Sequence, residues 1–130
     1  MKKINKLIIA CDGESASGKS TAAKLVSKKY KLLLVNSGLI YRYCSKLTIK
    51  HQPKIKLISF LNNKLKNISY KQIVKQNLHS HEISEHVAIL AKNKNVRKLV
   101  NNFQKKIIRN NKKICVEGRD IASKILSKNP

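Results

Sequence analysis

The first clear signal along the chain is an apolar run, Leu7 to Cys11, closed by Asp12. Unbroken hydrophobicity over so short a span predicts a strand covered on both faces, here residues 6–11. Residues 32–35, all Leu or Val, predict a second. Between them the period changes to the helical one. Ala22, Val26 and Tyr30 form a stripe flanked by Ala23 and Leu25, so residues 19–30 are expected to be a helix. Together these make a βαβ unit with the usual right-handed crossover. Asn36, Ser37 and Gly38 read as a turn into a short helix over 39–47. Its apolar face is Ile40, Tyr43, Cys44 and Leu47, which leaves Tyr41 and Arg42 off the stripe and able to face a cleft.

Residues 48–81 carry the least legible pattern. The segment 58–68, with Asn62 and Asn63 at its centre, reads as a small hairpin. Two amphipathic helices follow. The first, 82–92, turns Ile83, Val87, Leu90 and Ala91 inward. The second, 95–109, has Val96, Leu99, Val100, Phe103 and Ile107 on one face and Arg97 off it. Residues 114–116 predict a third buried strand, running into Glu117, Gly118, Arg119 and Asp120.

Composition narrows the class. A chain of 130 residues suits one small domain with its own core. The apolar run at 7–11 is too short for a signal sequence or a membrane span, which predicts a cytoplasmic protein with no membrane partner. Cys11, Cys44 and Cys115 are odd in number, widely spaced and set in apolar runs. They read as reduced core thiols rather than disulfides or metal ligands.

The formal net charge is +23, and 25 of the 29 basic residues are Lys. In a chain also heavy in Asn and Ile, this reads as compositional drift that places Lys on every solvated face. Tyr30, Tyr41, Tyr43, Tyr70, Phe60 and Phe103 do not interleave with the lysines, so any nucleic-acid contact is expected to be unspecific. Against that drift the rare residue types become informative. All four glycines and all six acids fall in four short segments, with Arg42, Arg97 and Arg119 in or beside them. In a chain that almost always uses Lys, an Arg points to a need for the planar fork that suits phosphate. Arg109 sits on a basic helix end and reads as surface.

Gly13, four intervening residues, then Gly18, Lys19 and Ser20 complete a P-loop pattern, with a predicted strand before it and a helix after it. In such a loop, backbone N–H groups converge on phosphate oxygens and the helix N-terminus adds partial positive charge. Lys19 would reach the β- and γ-phosphates, and the Ser20 hydroxyl would hold Mg²⁺. Glu14 occupies a variable position, where its N–H still serves. The competing reading is an ordinary glycine-containing strand-to-helix turn.

The second motif, NSGLIYRY, stands at a predicted strand end, where α/β sheets open their ligand crevice. Ser37, Tyr41 and Arg42 make an anion and ring site there, against the simpler reading of Ser37 as a helix N-cap beside a surface Arg. VEGRD also ends a strand. Its Glu, Arg and Asp can grip a phosphate and hydrogen-bond ring or sugar groups; alternatively they form a surface salt-bridge cluster. All three motifs are expected on one side of a parallel sheet, and that convergence outweighs any one of them.

The segments IIACDGESASGKST, VNSGLIYRY and ICVEGRDIAS, in that order and with EISEHVAILAKNKNVRKLV between, resemble the signature segments of the bacterial cytidylate kinases, P-loop nucleoside monophosphate kinases. The resemblance covers residues 4–47 and 82–123 and is weak over 48–81. It implies an α/β fold of the P-loop NTPase kind, three-layer α/β/α, with a parallel sheet of three strands in the order 2-3-1. The core would be 1–47 with 110–130, and 48–109 a mostly helical monophosphate-binding insertion. It implies ATP and Mg²⁺ as cofactors, ATP held by Gly13, Glu14, Ser15, Ala16, Ser17, Gly18, Lys19, Ser20 and Thr21, and Mg²⁺ by Ser20. Ser37, Arg42, Arg97, Arg119 and Asp120 would bind the CMP acceptor, and Tyr41 would line its site. Lys19, Arg119 and Asp120 would be catalytic, in transfer of the ATP γ-phosphoryl group to CMP or dCMP.

The chain departs from the family at Ala88, often Ser, and at Ala122, usually Gly. It also stops at Pro130, where the family continues into further strands, an arginine-bearing lid and adenine contacts. The lid and last strands are therefore expected to be missing, and the complete protein to be a monomer. Two other readings compete. One is a different small-molecule P-loop kinase, although no acceptor motif of adenylate or UMP/CMP-type kinases is visible. The other is a basic nucleic-acid-binding protein with a vestigial nucleotide fold.

Overall fold

Residues 114–116 are so apolar that they need cover on both faces and both edges, and they receive it. In a computed structural model that describes residues 7–12, 19–53 and 56–118, β3 (Lys113–Gly118) is the central strand of a three-stranded parallel sheet. It is flanked by β1 (Leu7–Asp12) and β2 (Leu33–Asn36). Lys113 is exposed, whereas every residue from Ile114 to Gly118 is buried. The order β1-β3-β2 is the one expected from sequence.

The helix α1 (Lys19–Tyr30) spans the residues predicted for it, but the expected stripe is corrected. Ala23 and Ser27 are buried and Val26 half-buried, while Ala22 and Tyr30 are exposed and Leu25 is 65 % exposed. The helix packs across the sheet through a cluster of Ala23, Leu32 and Cys115, joined by Leu7, Ile9, Cys11, Val26 and Leu34. Small residues four apart let the helix lie close on the sheet, and a Tyr in that row would hold it off. The helix ends at Lys31, whose φ of 55° is left-handed, and the Leu32 N–H donates to the Ser27 carbonyl at 2.8 Å. That closure normally recruits Gly; with Lys it costs about 1 kcal/mol. Cys11 Sγ and Cys115 Sγ lie 3.8 Å apart, and none of the three cysteines is in a disulfide.

Among the described residues five more helices follow. The turn expected at 36–38 is absent: β2 passes directly into α2 (Ser37–His51), which buries Ile40, Tyr43, Cys44 and Ser45. It ends with Gln52 at φ 43°, donating to the Thr48 carbonyl ahead of Pro53, which cannot continue a helix. The hairpin expected over 58–68 is overturned. Those residues lie largely in α3 (Leu57–Lys66), with Asn62 and Asn63 in its body. Leu57, Leu61 and Leu65 recur every four residues, and a helix buries Leu61 and Leu65 on one face, whereas a two-residue turn at Asn62 and Asn63 would send them to opposite faces. The short α4 (Tyr70–Val74) starts on a capping box formed by Ser69 and Gln72. Ser80 caps α5 (His81–Lys92), accepting from the Ile83 N–H at 3.1 Å. Asn93 Oδ1 accepts from the Asn95 and Val96 N–H groups at the start of α6 (Lys94–Asn110). That helix buries Val96, Val100 and Phe103, together with Gln104 and Ile108, which the sequence reading did not single out.

Backbone proximity groups the chain into two compact units. One comprises Met1–Ser37 and Gln104–Pro130 and contains the sheet; the other, Gly38–Phe103, is helical among its described residues.

Candidate nucleotide-binding site

In the sheet unit, parallel pairing aligns Asp12 with Gly118 and Asn36 with Glu117. The register therefore brings the C-terminal ends of all three strands to one edge, where a parallel sheet presents its loops and its ligand crevice. Each of the three motifs starts from that edge. The first is the glycine-rich segment, which follows Asp12, the last residue of β1, and precedes Lys19, the first residue of α1. Gly13, Glu14, Ser15, Ala16, Ser17 and Gly18 lie outside the described residues, as do Arg119 and Asp120. Lys19 and Ser20 open α1, and Thr21 follows on an exposed position. Ser37 is buried at the first residue of α2, one position after β2 ends.

Glu117, read as part of the VEGRD motif but given no role by the family resemblance, is the charged member of that motif that lies within the described residues. It is 3 % exposed, and its carboxylate accepts from Asn36 Nδ2 at 3.4 Å. A carboxylate buried at a sheet edge is costly without hydrogen-bond donors, and this contact supplies one while tying together the ends of β2 and β3.

In the helical unit, the three remaining candidates occupy two helices. Arg42, on α2, donates from Nη1 to the Leu78 carbonyl at 2.9 Å and to Ser84 Oγ at 3.0 Å. Tyr41, its neighbour, is half-buried. Burial raises its phenol above the ordinary value, the positive charge of Arg97 pulls it partly back, and Cys44 adds a small rise. Tyr41 therefore keeps its proton at neutral pH and presents an O–H donor within the electrostatic reach of Arg97. Arg97 is exposed near the start of α6. Among the described residues no carboxylate pairs with either arginine, and the one contact between an acidic and a basic side chain is Glu85 Oε1 with His81 Nε2 at 2.9 Å. The charge of Arg97 acting on the Tyr41 phenol places these two candidates within electrostatic reach of one another.

Sequence reasoning missed Ser84 and Leu78 as partners of Arg42. A backbone carbonyl has no sequence signature. Ser84 stands four residues after the cap Ser80, a spacing that marks one helix face but no particular partner. Among the described residues no helix is long and apolar enough to cross a membrane.

Comparison with known proteins identifies the family. The chain matches the family model for cytidylate kinase over residues 9–130. It is 32 % identical over 133 residues to a cytidylate kinase of Aquifex aeolicus, with 94 % of this chain and 60 % of the relative covered. A cytidylate kinase of Mesomycoplasma hyopneumoniae is 33 % identical over 136 residues, covering 96 % of this chain and 58 % of the relative. A bifunctional pantoate ligase/cytidylate kinase of Prochlorococcus marinus is 36 % identical over 135 aligned positions, with 91 % of this chain and 26 % of that protein covered. The chain thus spans about 60 % of the length of the first of these relatives. With nearly all of its residues matched, and with its strand ends ordered as the motifs require, the chain belongs to the cytidylate kinase family.

Proposed function

We propose that the protein transfers the γ-phosphoryl group of ATP to CMP or dCMP, yielding ADP and the diphosphate. The observation that carries the reading is the register of the sheet, Asp12 beside Gly118 and Asn36 beside Glu117. It gives a phosphate-loop motif, an acceptor motif and an Arg-Asp motif a common edge. The glycine-rich segment joins a strand end to a helix start, the setting a triphosphate cradle needs, so ATP and its metal ion fit the residues present.

In this reading residues 13–21 hold ATP, with Lys19 on the β- and γ-phosphates. Ser20 would hold Mg²⁺, which when bound would supply neutralisation of phosphate charge. Ser37, Arg42, Arg97, Arg119 and Asp120 hold the acceptor, and Tyr41 lines its ring. The arginines offset the repulsion between two anionic substrates, and Lys19, Arg119 and Asp120 act on the transferring group. Catalysis of this kind is positioning and electrostatics without a covalent intermediate. The enzyme would work as a monomer in the cytoplasm.

The test is ADP release by the purified chain, supplied with ATP, Mg²⁺ and each monophosphate in turn. CMP or dCMP should be preferred over AMP. Lys19→Ala and Arg119→Ala should each lower the rate about a hundredfold or more. Equal use of every monophosphate rules out the cytidylate assignment. Absence of transfer, with RNA affinity that falls steeply with salt and ignores both substitutions, favours the nucleic-acid reading instead.

A further inference from the structure

We propose that Ser84 is a positioning residue, which holds the Arg42 guanidinium ready for the phosphate of the acceptor nucleotide. The inference rests on the acceptor reading above and adds to it a residue outside the recognised motifs.

The direction of each hydrogen bond follows from chemistry. Arg42 can only donate, so Ser84 Oγ accepts from Nη1 at 3.0 Å. The single hydroxyl proton of Ser84 then goes to the Ser80 carbonyl at 3.1 Å. Ser80 is itself fixed, because its own Oγ caps α5 by accepting from the Ile83 N–H. The second Nη1 hydrogen goes to the carbonyl of Leu78, whose residue is 1 % exposed and anchors the segment ahead of α5. Both Nη1 hydrogens are thereby committed to α5 and the segment before it. Among the described residues Arg42 has no further partner, so the Nε and Nη2 hydrogens form an edge available to a bidentate anion.

An Arg side chain has large rotamer freedom to lose, and a contact that fixes it beforehand removes that loss from the binding step. Ser84 lies on an exposed turn of α5, where Ala is a better helix former, so removing the hydroxyl does not threaten the fold. The opposite arrangement is a guanidinium occupied by Leu78 and Ser84 in place of the ligand, which the ligand must first displace. The two predict effects of opposite sign.

The experiment compares the wild-type chain with Ser84→Ala, Ser84→Thr, Arg42→Ala and the Ser84→Ala/Arg42→Ala double variant. The first readout is NMR of the Arg42 side-chain nitrogens in ligand-free protein. A held guanidinium gives two separate Nη signals, and Ser84→Ala should merge them; separate signals in that variant overturn the positioning role. The second readout is CMP binding by equilibrium dialysis, together with KM and kcat. Ser84→Ala should weaken CMP binding and raise its KM about fivefold, with kcat less affected. Ser84→Thr should restore both, and in the Arg42→Ala background Ser84→Ala should add nothing. Tighter CMP binding by Ser84→Ala, or an equal loss with and without Arg42, overturns the proposal. A wild-type chain that binds no CMP overturns the acceptor reading, and the NMR result still decides whether Ser84 holds Arg42.

Discussion

The sheet unit and the helical unit bring their functional groups into place by different means. In the sheet, position is set twice over: by burial along each strand and by register across strands. Once Ile9 pairs with Cys115 and Val35 with Val116, the edge formed by Asp12, Asn36 and Glu117 follows without a further choice. The helical unit has no such cross-check. Each helix is placed by its own apolar spacing, and three of them also by a side-chain cap, Ser69 for α4, Ser80 for α5, Asn93 for α6. Arg42 reaches its place through one carbonyl and one hydroxyl. A register error in the sheet would disturb every strand end together, whereas a change of cap acts on one helix. Precision is shared in one unit and local in the other.

The largest test of this contrast falls on α3. Asn62→Pro removes an interior hydrogen bond and sets a ring against the preceding turn, costing about 3 kcal/mol if the segment is a helix. Urea unfolding followed by far-UV circular dichroism should show that loss. A neutral result would restore the hairpin, where Pro near a turn is tolerated.

The next test sharpens the sheet side. Ala23→Leu, on the face of α1 against the sheet, should cost about 2 kcal/mol by overpacking. Ala22→Leu, one residue away and exposed, should stay within about 0.5 kcal/mol. Equal effects at the two positions would mean that α1 turns the Ala22 stripe inward after all.

The smallest effect is read by pH. Burial pushes the Cys44 thiol up to about 12 from an ordinary value of 9.0. In the unfolded chain it ionises as pH rises through 9, while in the folded chain it stays neutral. The unfolded state then binds fewer protons, so stability falls with rising pH across the window from 9 to 12. The loss should be about 1 kcal/mol between pH 9 and 10, and Cys44→Ala should abolish that part of it. Loss that begins as pH falls would reverse the sign and refute burial as its cause.

The sequence made the sheet unit legible because its signals were redundant. Leu7 to Cys11, the glycine-rich segment and the helix after it each implied the others, and the parallel order followed. The face of α1 did not, because Ala22 and Ala23 are equally apolar and the size of Tyr30 suggested burial. In the helical unit, Asn62 and Asn63 looked like a turn, since Asn favours one. What decided the matter was the four-residue recurrence of Leu57, Leu61 and Leu65, which outweighs the local preference of two residues once both Leu61 and Leu65 are buried. Arg42 was legible as a charge out of place in a Lys-rich chain. Its holders were not, because a carbonyl belongs to any residue and Ser84 to any helix surface.

The central place of β3 also sets a timetable. Strands β1 and β2 each pair with β3. Cys11 and Cys115, side by side in the sheet, are 104 residues apart along the chain. During synthesis at about 5–20 residues per second, the two outer strands wait several seconds before the strand that joins them exists. Throughout that interval their apolar faces are available to any other nascent strand, so the yield of folded protein should depend on chaperone capacity more than on the final stability of the sheet.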